Sequence, residues 1–142
     1  MKSILGAIFP ISSENAISIF DKGRKVFVKY TKFGKLYKDS KLVFYVSKEK
    51  KLIGEGTVER VEKANSKIAW VRYGHQMFIN EPEFNQYVSK SPVDGRSRKM
   101  EEITVFILKN ARRYKNPVQW KCGMTPAGCY LTRDTYQRIT TE

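Results

Sequence analysis

The chain has 142 residues, 41% hydrophobic and 13% aromatic, and carries 27 Lys and Arg against 14 Asp and Glu, a net charge of +13. That length fits one domain, residues 1–142, and that composition is rich enough for a real core and excludes a disordered chain. No apolar run nears the roughly 20 residues that span a bilayer, and the short run before Pro10 is small for a signal peptide, so a cytoplasmic protein with no membrane partner is expected.

The charge is unevenly spread. Residues 1–51 hold 12 basic and 4 acidic groups, and residues 95–121 hold 8 basic and 2 acidic groups, whereas Glu55 to Glu83 is close to neutral. Cationic excess gathered in two blocks is the electrostatic footprint expected of a nucleic-acid binder. A membrane surface is a poorer match, because no long basic amphipathic helix is visible.

In chain order, residues 4–9 read as a strand ended by Pro10. Ser12 or Ser13 caps a short helix with Ala16, Ile17, Ile19 and Phe20 on one face, and Gly23 suits the left-handed backbone beyond its end. Arg24 to Lys32 follows as a strand. Its alternation sets Val26, Val28 and Tyr30 on one face and Lys25, Phe27, Lys29 and Thr31 on the other, a cationic surface with a ring set into it. A basic loop leads to Lys41–Ser47, with Leu42, Phe44 and Val46 on one face and Val43 and Tyr45 on the other. Leu52 to Val61 is a further strand, in which Gly54 and Gly56 mark a bulge or a close backbone approach. Ile68 to Tyr73 fits helix or strand, and Glu81 to Ser89 fits a helix with Pro82 in its first turn. Residues 92–99 form a basic loop. Glu102 to Leu108 reads as a strand buried on both faces, Val118 to Lys121 as a late strand, and Thr132 to Ile139 as a terminal helix capped by Thr132. There is no βαβ rhythm and no internal repeat, so the fold class is α+β around a barrel.

Cofactor and metal motifs are missing. Cys122 and Cys129 with the distant His75 fall short of a four-ligand zinc site, and two small buried thiols are the favoured reading. No phosphate-cradling P-loop and no nucleophile elbow is present, and His75 reads as a surface residue.

Four stretches together resemble an archaeal family related to the small PUA, ASCH and EVE barrels: 6–10 (GAIFP), 27–31 (FVKYT), 54–59 (GEGTVE) and 127–132 (AGCYLT). The resemblance covers nearly the whole chain. It implies a PUA-like (ASCH/EVE-like) pseudo-barrel of five to six mostly antiparallel strands with short flanking helices, binding RNA or a modified nucleobase. ASCH relatives carry a Gly-x-Lys-x-x-Glu-x-Arg pattern, and some hydrolyse acetylated cytidine with that lysine and an acid. Gly23 and Lys25 match the pattern, but Val28 and Tyr30 replace its Glu and Arg, and a valine transfers no proton.

The expected function is therefore RNA binding, on a basic face with a pocket that reads a structured or modified base. Its candidate residues are Lys25, Lys29, Lys32, Arg96, Arg98, Lys99, Arg112, Arg113 and Lys121 for phosphates, with Phe27, Tyr30 and Trp120 for stacking. The absence of a helix-turn-helix or zinc-finger signature favours single-stranded or tRNA-like RNA over duplex DNA. The alternatives are a nucleoside- or RNA-directed hydrolase using Lys25 with Glu55 or Glu59, and a small ribonucleoprotein interaction module.

Overall fold

A computed structural model describes residues 4–29, 35–89, 102–120 and 128–141. In chain order the elements are β1 (Ile4–Ile11), α1 (Ser13–Phe20), β2 (Val26–Lys29), β3 (Lys41–Val46), β4 (Lys51–Asn65), α2 (Ser66–Tyr73), a 3₁₀ turn (Gly74–Gln76), α3 (Glu81–Ser89), β5 (Glu102–Gln119), β6 (Cys129–Thr132) and α4 (Arg133–Thr141). The strands form one six-stranded sheet in the order β2-β5-β4-β3-β1-β6. Every pairing is antiparallel except β1 with β3.

The ladder is open, with β2 and β6 at its edges, yet the sheet curls. Four strand spacings of about 4.8 Å separate β2 from β1, which would hold them about 19 Å apart if the sheet were flat. Phe27 of β2 and Phe9 of β1 instead bring their ring centroids within 5.4 Å, and Phe27 also meets Phe44 of β3 at 5.2 Å. Aromatic contact thus closes what the hydrogen bonds leave open, and the expected pseudo-barrel is present. Its interior is a core that includes Phe9, Ile19, Phe44, Val58, Phe84 and Phe106. A second, smaller core of Ile8, Val43, Tyr45, Leu52, Leu131 and Ile139 lies on the other face, covered by α4. The alternation read for β3 sorts Leu42, Phe44 and Val46 into the first core and Val43 and Tyr45 into the second.

Local chemistry explains most boundaries. Ser12 caps α1, its hydroxyl accepting the Asn15 N–H at 3.1 Å, and Gly23 takes φ +69° beyond the helix end. Asn65 caps α2 by accepting the Ile68 N–H at 2.9 Å, which settles that segment as helix. Thr132 caps α4 by accepting the Thr135 N–H.

Several expectations need correction. β1 runs through Pro10, which pairs with Tyr45. Pairing with β6 has ended at Ile8, so on that side no ladder remains for the proline to interrupt. The strand read as 102–108 and the start of that read as 118–121 belong to one strand, β5, which bulges instead of ending and runs to Gln119: Asn110 takes φ +54° between the rungs Thr57–Lys109 and Glu55–Arg112. Ile17 leaves the apolar face of α1 and is exposed. Finally, β2 has no cationic face. Val26, Phe27 and Val28 are all buried, because the chain around Met77 and Phe78 covers the outer side of the strand. The lysines stand at its ends.

Candidate nucleic-acid interface

The covering of β2 creates a cleft. The Phe78 N–H donates to the Val26 carbonyl at 2.8 Å, and the Arg24 guanidinium donates to the His75 carbonyl, so the turn after α2 is tied to the entry of β2. Opposite it stands α1. Between them run two adjoining cavities of about 730 and 390 Å³ that share Asn15, Phe78, Ile79 and Glu83. The smaller cavity has an apolar floor of Pro10, Ile11, Phe27, Val28, Phe78 and Ile79, with Lys29, Glu83, Tyr87 and Asn15 around it. The larger is lined by Lys22 and Arg24 against Glu14, Glu81 and Glu83, with Trp70 and His75. Trp70 is held in place by stacking on Phe84, with 5.1 Å between ring centroids. The cleft is a mixed-charge pocket of a size that holds small ligands.

Lys29, Phe27 and Val28 are the residues of the β2 stretch that the cleft uses. The Lys29 ammonium lies 5.7 Å from the centroid of the Phe9 ring. Phe27 is only 1% exposed and holds the core together, which corrects the expectation that it stacks on a base. Lys25 borders a separate shallow hollow beside Leu108 and Asn110. Arg112 and Arg113 are neighbours on β5 but serve opposite faces. Arg113 makes a bidentate pair with Asp21 at the end of α1, at 2.8 and 3.0 Å, and its guanidinium lies over the Phe20 ring. That hydrogen bonding holds the Asp21 carboxyl below its ordinary value and raises Arg113. Trp120 packs against the second core, with its indole N–H buried and no acceptor among the described residues. Tyr30, Lys32, Arg96, Arg98, Lys99, Lys121 and Cys122 lie outside the described residues. The described candidates therefore divide among three places instead of forming one face.

Arg112 enters a second polar constellation around Glu55. This carboxylate is 2% exposed, and its partners surround it: the one Tyr136 hydroxyl hydrogen is shared between its two oxygens, which lie at 2.8 and 2.9 Å, Tyr114 donates at 3.1 Å and Arg112 at 3.3 Å, and the Lys41 ammonium lies at 3.7 Å. Burial, and then Glu55 itself, push the Tyr136 hydroxyl up to about 12 and hold Tyr114 well above the ordinary tyrosine range. Lys25 is not among the partners of Glu55, and β5 lies between β2 and β4. Glu59 is exposed, beside a bulge in β4. Of the two partners expected for Lys25 in the hydrolase reading, Glu55 is not paired with it.

The cleft wall made by Asn15, Glu83 and Tyr87 is not legible in the sequence. The signal for α3 was present in Asn80 and Pro82, but which helix face meets the barrel depends on tertiary packing. The sequence offers Glu55 as a possible acid partner of Lys25 but does not show its tyrosine partners, which lie 59 and 81 residues away. Among the described residues, no group of three or more His, Cys, Asp or Glu is placed to hold a metal, and no helix is long and apolar enough to cross a membrane.

The curled α+β sheet resembles the fold of solved ASCH proteins. An ASCH protein from Zymomonas mobilis carrying one substitution superposes with a TM-score of 0.78 at 17% identity, over 99% of this chain and 98% of that one. The N-terminal domain of Staphylothermus marinus McrB gives 0.57 at 17% identity, over 100% and 98%. The chain matches, over residues 4–133, the family described as a domain of unknown function, DUF365, and it belongs to that family. An uncharacterised protein from the archaeon Methanocaldococcus jannaschii is 33% identical over 104 residues, 70% of this chain and 95% of that one.

Proposed function

We propose that the protein binds RNA, taking one unstacked base into the smaller cavity while cations outside the cleft meet phosphates. The observation that carries this is the composition of that cavity. Its floor is apolar and about 390 Å³ is available, and Tyr87, Asn15 and Glu83 supply a ring and polar groups above it, with Lys29 beside them. A flat aromatic ligand with polar edges matches this arrangement, and a base leaves the stack readily in single-stranded or looped RNA. The +13 charge supplies the attraction that concentrates a polyanion at the surface. The mixed charge of the adjoining larger cavity, with Lys22 and Arg24 opposite Glu14, Glu81 and Glu83, fits the surroundings of a base pocket better than a groove that tracks phosphates.

Fluorescence anisotropy with labelled single-stranded RNA, tRNA and duplex DNA at two salt concentrations tests the proposal. Tight, salt-sensitive binding with a preference for one RNA class is expected. Tyr87→Ala removes a stacking surface worth about 1–3 kcal/mol per base, a loss of roughly 5- to 150-fold in affinity. Equal, weak binding to all three, unaffected by Tyr87→Ala, would overturn the reading.

A further inference from the structure

The Glu55 constellation leads to a second site. Two rungs of the sheet place cations side by side: Lys41 pairs with Thr57 and Thr57 with Lys109, while Val43 pairs with Glu55 and Glu55 with Arg112. The Lys41 ammonium donates to the Thr57 hydroxyl at 2.8 Å and leans toward Glu55, and Lys109 pairs with the exposed Asp39 at 3.1 Å. Three cations thus face two carboxylates, leaving a surplus of one positive charge.

The buried member is the unusual one. A carboxylate taken out of water is costly unless its lone pairs are met. Here Oε1 accepts from Arg112 and Tyr114, the single Tyr136 hydroxyl hydrogen is shared between Oε1 and Oε2, and the Lys41 ammonium lies near Oε2. Buried and ringed by Tyr136, Tyr114, Arg112 and Lys41, Glu55 is poorly placed to act on a substrate itself. The capacity left over belongs to the cations. An arginine offers five N–H donors, of which Arg112 directs one terminal nitrogen to Glu55 and also meets the Tyr136 hydroxyl, leaving donors for a ligand. Its guanidinium also lies over the Tyr114 ring at 5.7 Å, while 59% of its side chain stays exposed. Anchored at one end and packed along one face, the fork is held in one orientation toward solvent, which lowers the entropy lost on meeting a tetrahedral anion.

We propose that Arg112 and Lys41, positioned by Glu55, form a phosphate-binding site. Tyr114 and Tyr136 pack against the second core, so this site lies on the sheet face opposite the barrel interior that the cleft adjoins. The phosphate comes either from a polynucleotide backbone that wraps past the sheet or from a free phosphate group. The first source rests on the RNA reading above, and the second does not.

The test uses the full chain with two probes, inorganic phosphate followed by calorimetry and a short single-stranded RNA followed by anisotropy across a salt series. Arg112→Gln is expected to weaken phosphate at least tenfold and to make the salt slope for RNA shallower by about one unit, since one phosphate contact is lost. Arg112→Lys keeps the charge but loses the fork, and falls between the two. Because Arg112→Gln leaves a buried carboxylate short of a partner, the double variant Glu55→Gln/Arg112→Gln is measured beside it and is expected to show the same loss. Wild-type protein that binds RNA, with both its salt slope and its phosphate binding indifferent to Arg112→Gln and Lys41→Met, overturns this site and leaves the base pocket standing, whereas loss of phosphate binding with the RNA slope unchanged assigns the site to a free phosphate group. Phosphate binding without RNA binding upholds the site and overturns the RNA reading. Binding of neither probe overturns both.

Discussion

At the scale of single residues, Tyr136 has the clearest consequence. Its single hydroxyl hydrogen lies within reach of either oxygen of a buried carboxylate, and hydrogen bonds to charged groups are worth about 1.5–3 kcal/mol. Tyr136→Phe is therefore expected to cost about that much in urea unfolding, whereas Tyr37→Phe, on a largely exposed ring, should change little. The same residue gives a signed pH dependence. Its folded value is raised from 10.0 to about 12, so its contribution is complete below pH 10 and disappears as pH rises through 12. Melting temperatures between pH 9 and 12 should fall in the wild type and fall less steeply in Tyr136→Phe; identical slopes would refute the assignment. Asp21 has the opposite sign. Its pair with Arg113 lowers its pKa below 3.8, so any stabilisation it gives is present above that pH and is lost on acidification.

At the scale of elements, the parallel pairing of β1 with β3 depends on one glycine. A Cβ on Gly6 would sit 1.7 Å from the Lys41 carbonyl oxygen, whereas one on Gly56 meets nothing nearer than the Leu108 side chain at 3.4 Å. Gly6→Ala should therefore destabilise by at least the roughly 1–3 kcal/mol of an overpacked core, and Gly56→Ala by clearly less, read from urea midpoints. Equal effects would mean that β1 shifts to accommodate the methyl group. The elements also show what the sequence made legible. Alternation in β3, the Ser12 cap, Gly23 and the Asn80–Pro82 helix start are local signals, and each was readable within a few residues. The length of β5 was not, because its second half is polar and half-solvated and keeps no period of two. Nor was the burial of Phe27, since the segment covering β2 arrives some 50 residues later. Chain-distant partners also hid the site. Arg112 looked like one more basic residue until β4 brought Glu55 beside it.

At the scale of the whole molecule, net charge foretold the kind of partner proposed here better than it located the contact. Lys22 and Arg24 line the larger cavity opposite three glutamates, while Arg112 and Lys41 lie on the far side of the sheet. Cation surplus summed over a sequence says nothing about which side chains are already spent on neighbours such as Asp21 and Glu55.

β5 itself serves both cores. Ile103 to Leu108 lie in the first, and Tyr114 and Val118 pack against the second, eighteen residues of one strand running between them. Neither core can melt while the other keeps its share of that strand, so the two hydrophobic masses belong to one cooperative unit. Calorimetric and van't Hoff enthalpies should agree. The slowest amide protons at 103–108 should exchange through the same global opening as those of Val43 and Leu52. A second, lower-temperature transition confined to α4 and the residues beneath it would show that the strand bends without transmitting the loss.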